Sequence, residues 1–141
     1  DADLRDGKTP RYIDRWRPVH QWDEQQVWDI IREHKITPHP CYRLGWSRCS
    51  CMACIFNGAN EFASLRKIAQ PAFDALTAAE ADFDRTIKRN IDLVGLADKG
   101  NAFPMRAADA AAALSDTWSE PMTRDPWVLP AGAFKGGAGP T

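Results

Sequence analysis

From residue 23 onward the apolar positions fall into helical steps punctuated by proline and glycine. Val27, Ile30, Ile31 and His34 stand at i, i+3, i+4 and i+7, behind Asp23 as an N-cap and Gln26 at the third helical position of a capping box. This predicts a helix that must stop before Pro38 and Pro40, because proline disfavours helical geometry in the residue ahead of it. Ahead of it, "WRPVHQW" (16–22) is short, aromatic and interrupted by Pro18, which suits an edge strand or an extended connector. Phe62, Leu65 and Ile68 predict a second helix ending near Pro71, and Pro71 suits the first turn of a third. In the third, Phe73, Leu76, Glu80, Phe83 and Ile87 keep the step, with Glu80 the single polar break in the stripe. The alanine-rich "MRAADAAAALSDTW" (105–118) predicts a fourth. Residues 38–57 have no period and contain Gly45, so they read as a knuckled loop.

The fold class expected is therefore mainly α with a short β segment. Residues 1–15 form a loose lead-in, 16–120 a helical domain around the cysteine loop, and 121–141 a Gly/Pro-rich tail that lies across the body or stays disordered. Trp16, Trp22 and Trp28 are expected to be packing groups rather than base-stacking platforms.

Composition narrows the class. With 141 residues, 44% hydrophobic and 26% charged, the chain has the size and mixture of one ordinary domain. A net charge of -1 gives no global attraction to nucleic acid or anionic membrane. No run of eighteen apolar residues occurs and the first residues are acidic and polar, so a soluble, cytoplasmic protein without a membrane partner is expected.

All four cysteines lie within residues 41–54, as Cys41, Cys49, Cys51 and Cys54, in the pattern C-x7-C-x-C-x2-C. In a reducing compartment such a group reads as ligands or redox thiols rather than structural disulfides. Four thiolates suit either a [4Fe-4S] cluster or a structural zinc ion. Zinc ribbons usually present two separated two-cysteine knuckles and this sequence has one, "CMAC", which favours the cluster; zinc and an unliganded redox set stay open. His39 adjoins Cys41, but four thiols already satisfy one centre, which leaves the imidazole outside the set. His34 reads as a helix-end residue. Arg43 and Arg48 flank the knuckle, either as solvated loop residues or as guanidinium forks for phosphate or sulfate.

The segment "WRPVHQWDEQQVWDIIREHKITPHPCYRLGWSRCSCMACIF" resembles the phosphoadenosine phosphosulfate reductase family of the adenine-nucleotide alpha-hydrolase-like superfamily, in particular its phage and DNA-modification members. Arg17, Pro18, Trp22, Val27, Trp28, His39, Pro40, Cys41, Tyr42, Gly45, Arg48, Cys51 and Cys54 carry the likeness, which continues more weakly to about residue 85 and in the closing "WVLPAGAFKGGAGPT". The resemblance implies the C-terminal portion of an α/β reductase-like fold, with Arg17, Arg43 and Arg48 facing substrate phosphate or sulfate. It also implies an adenine nucleotide held by an N-terminal half or a partner subunit. Two family features are missing: a Ser-Gly-Gly-Lys-Asp-Ser phosphate loop, and a cysteine after Cys54 to attack sulfur. No catalytic residue is therefore assigned. The competing reading is a zinc-stabilised module that docks on a protein or nucleic acid without chemistry of its own, for which "RTIKRN" (85–90) offers a basic stretch.

Overall fold

The computed structural model describes residues 15–135, which form six helices. They are α1 (Glu24–Glu33), α2 (Pro40–Leu44), α3 (Ala59–Ile68), α4 (Gln70–Phe83), α5 (Leu93–Asp98) and α6 (Ala107–Leu114). Almost all of the lead-in, residues 1–14, and the last six residues of the tail lie outside the described part. No described helix is long and apolar enough to cross a membrane.

α1 starts as its sequence dictates. The Asp23 carboxylate accepts from the Gln26 N–H at 2.8 Å, and the Gln26 side chain accepts from the Asp23 N–H at 2.9 Å. The helix ends at Glu33, with His34 as its C-cap. The residue it buries is Trp28, while Val27 is exposed, so the buried face is rotated from the Val27–His34 stripe. Trp28 stands edge-on to Tyr42 at 5.2 Å, and its indole N–H donates to Glu24 at 3.1 Å.

The expected short strand over 16–22 is a correction: this segment turns, with His20 N–H donating to the Arg17 carbonyl and Trp22 N–H to that of Val19. Pro18 and the lack of any neighbouring strand among the described residues leave no ladder to join. Among the described residues β pairing is limited to two isolated bridges, Ile36 with Thr123 and Lys88 with Ile91. Trp16 is 88% exposed and Trp22 41%, so of the three tryptophans read as packing groups only Trp28 is buried.

α3, α4 and α5 enclose the main core of Phe62, Leu65, Phe73, Leu93 and Ala97. Pro71 stands in the first turn of α4, which runs only to Phe83 because Asp84 adopts a left-handed conformation (φ 48°). The polar break at Glu80 has a structural use: its carboxylate accepts from the Ile87 N–H at 2.8 Å and the Leu93 N–H at 2.9 Å, fastening the loop between α4 and α5.

Residues 121–135 lie across α1 and α2. Thr37 N–H donates to the Met122 carbonyl and Arg124 N–H to that of Lys35, both at 2.8 Å. The Trp127 indole donates to the Ile36 carbonyl, and Gly132 N–H to the Tyr42 carbonyl at 2.8 Å. At Gly132 a β-carbon would stand 2.0 Å from the Trp46 carbonyl oxygen, so this backbone approach needs glycine.

Candidate metal centre

The cysteine segment opens with a helix rather than a loop. His39 caps α2 by accepting the Cys41 N–H on Nδ1 at 3.2 Å, Pro40 occupies the first turn, and Gly45 ends the helix at φ 111°. Beyond Gly45 the chain folds back: Trp46 N–H donates to the Cys41 carbonyl at 3.1 Å, and Cys49 N–H donates to the Tyr42 phenol oxygen at 3.2 Å. Trp46 and Phe103 meet edge-on at 5.4 Å on the far side of this turn.

These bonds bring Cys49 beside Cys41. One donor atom each from His39, Cys41 and Cys49 lies within 4.8 Å of the others, so the three can hold a metal ion. That group excludes Cys51 and Cys54. Cys51 is exposed and shares with the three the wall of a cavity of about 210 Å³, floored by Leu44, Ile68 and Leu114. Cys54 is buried and is not on that wall; its carbonyl accepts the Asn57 N–H at 2.9 Å. All four cysteines are free thiols.

The electrostatics of the pair oppose two thiolates without a counter-charge. Burial pushes the Cys41 thiol far above its ordinary value, and Cys49 pushes it further, by charge and as a hydrogen-bond partner. Burial likewise raises the Tyr42 phenol, partly offset by the Cys49 N–H that it accepts. A divalent cation reverses this balance, since it takes the place of the protons on its ligands. His39 would have to change partners. With Nδ1 accepting the Cys41 N–H, the neutral ring carries its proton on Nε2, so ligation through either nitrogen gives up the cap bond.

The three arginines fall in different settings. Arg43 turns inward: its Nε donates to Asp109 at 2.8 Å and its two terminal nitrogens grip Glu120, one of them at 2.9 Å. Burial opposes its charge, but the bonds to Glu120 and Asp109 outweigh that and hold its pKa above the ordinary value. Arg106 and Arg124 join the same two carboxylates, at 3.0 and 2.9 Å. Arg48 lies over the Phe56 ring at 5.4 Å and reaches the wall of the thiol cavity. Arg17 is in the exposed turn of 16–22.

Residues 5–57 match the model of the phosphoadenosine phosphosulfate reductase domain. A 50-residue stretch is 36% identical to a protein described as "Uncharacterized 37.8 kDa protein in gpa 5'region", from Escherichia phage 186. That stretch is 36% of this chain and 15% of the phage protein. No solved structure matches. The family match lies at residues 5–57 of this chain and stops there, short of the weaker likeness expected on to residue 85 and in the tail. It does contain α1, α2 and every cysteine. Through residues 5–57, the chain is similar to the phosphoadenosine phosphosulfate reductase domain.

Proposed function

We propose that this chain is a metal-bearing module of a reductase-like enzyme of sulfur or adenine-nucleotide chemistry. The convergence of His39, Cys41 and Cys49 inside the family-matched segment carries the reading. Two thiols and an imidazole are a donor set that suits one zinc ion, and Cys51, on the wall of the same cavity, is the candidate fourth ligand. A [4Fe-4S] cluster would instead need all four thiolates, with Cys54 leaving its buried position. The donor set therefore favours zinc over the cluster that cysteine spacing suggested.

Bound there, the metal would polarise a ligand or hold thiolates ionised at neutral pH. The chain's own residues orient it: Tyr42 fixes the Cys49 backbone, and the apolar floor limits water. Arg48, on the wall of the cavity, is placed to meet substrate phosphate or sulfate, while Arg17 in the 16–22 turn and Arg43, bonded to Glu120 and Asp109, lie off that wall. The adenine nucleotide itself would be held by another domain or subunit.

Metal analysis and a visible spectrum of protein purified without oxygen test the centre. One zinc per chain and no colour are expected. Iron with inorganic sulfide and a brown solution would replace zinc by the cluster, and a metal-free protein that takes up neither would overturn the reading.

A further inference from the structure

We propose that Cys41 and Cys49 form a reversible disulfide, a modification that removes two ligands at once from the candidate metal set. The bond itself is independent of the metal; its effect on metal occupancy rests on the reading above.

The two sulfurs are already together. Both are free, and both lie within the 4.8 Å group. Their approach is fixed from both ends of the turn, by Trp46 N–H on the Cys41 carbonyl and by Cys49 N–H on the Tyr42 phenol. Accessibility divides the labour: Cys49 is exposed, while Cys41 is half-buried behind it. An oxidant in solution therefore meets Cys49 first, with Cys41 in place as the resolving thiol.

With hydrogen peroxide the steps balance as follows. The Cys49 sulfur attacks one peroxide oxygen, the O–O bond breaks, and a sulfenic acid and one water result. The Cys41 sulfur then attacks the Cys49 sulfur, the S–S bond forms as the S–O bond breaks, and the hydroxyl leaves with the Cys41 proton as a second water. The two thiols lose two electrons and two protons in all, and one peroxide is reduced to two waters. A dithiol reductant reverses the bond by exchange. Cys54, buried and off the cavity wall, has no such access, so the thiols of "CMAC" are not the favoured pair.

The test uses the full chain, reduced, stripped of metal with a chelator and treated with one equivalent of hydrogen peroxide. Non-reducing peptide mapping should find Cys41 joined to Cys49, with the link removed by dithiothreitol and absent from Cys49→Ser. Zinc uptake by the oxidised chain should fall at least tenfold and return on reduction. A Cys51–Cys54 link in place of Cys41–Cys49, or over-oxidation of Cys49 without a crosslink, would overturn the proposal. Formation of the Cys41–Cys49 link in a chain that never binds zinc would uphold the disulfide and reject the metal reading instead.

Discussion

At the scale of single residues, His39 carries two jobs that compete for one ring. As the α2 cap it accepts the Cys41 N–H, and as a ligand it must release it. Asparagine separates the jobs, because its side chain caps a helix well but supplies no imidazole. His39→Asn should therefore leave the stability of the metal-free chain within about 0.5 kcal/mol while lowering zinc affinity by an order of magnitude or more. Competition titration against a chromophoric chelator together with urea unfolding checks both halves; unchanged affinity would remove His39 from the ligand set. The sequence made His39 visible but not its role, since counting four thiols satisfied the metal on paper. Its neighbour Arg43 was opaque for another reason. The carboxylates that occupy it, Asp109 and Glu120, are more than sixty residues away and no local pattern points to them.

At the scale of elements, what sequence revealed depended on whether local signals acted alone. α1, α3 and α4 were legible because capping residues, apolar steps and Pro71 agree. α2 was missed, because the cysteine spacing and Gly45 read as a loop, although His39, Pro40 and Gly45 are its cap, first-turn and end residues. α5 was missed as well: "LVGLAD" is one and a half turns around Gly95, and it is held by the Asp92 side chain on the Gly95 N–H at 2.7 Å and by distant Glu80. Glu80→Ala should leave the Ile87 and Leu93 N–H groups without acceptors and cost about 1–3 kcal/mol, with hydrogen exchange accelerating at Leu93 before it does in α3. Equal protection in variant and parent would mean that water or another side chain replaces the carboxylate. At the other end of the fold, Gly132→Ala would drive a β-carbon into the Trp46 carbonyl. A loss of about 1–3 kcal/mol is expected, read as a lower midpoint in denaturant, and a neutral result would show that residues 121–135 are not docked in solution.

The whole molecule should report the thiol pair through its pH dependence. Folding raises the Cys41 pKa above the ordinary 9.0. Below that value the thiol is protonated in both folded and unfolded chains, and its contribution to stability is fully present. As pH rises above it, only the unfolded chain gains by ionising, so stability falls. The metal-free protein should thus lose stability across the alkaline range, and the loss should be smaller in Cys41→Ser; thermal melts at a series of pH values compare the two. Parallel curves for parent and variant would show that Cys41 ionises freely in the folded state.

The contact of Gly132 with Tyr42 also sets an order of events. The cysteine turn is synthesised long before the segment that clamps it, and at about 5–20 residues per second the ribosome takes several seconds to reach residue 132. For that interval the newborn chain carries its thiol pair without the strap that backs it. Loading of the centre and exposure to oxidants are then in a race on the nascent polypeptide, and growth under peroxide stress should lower how much of the protein matures with its centre loaded.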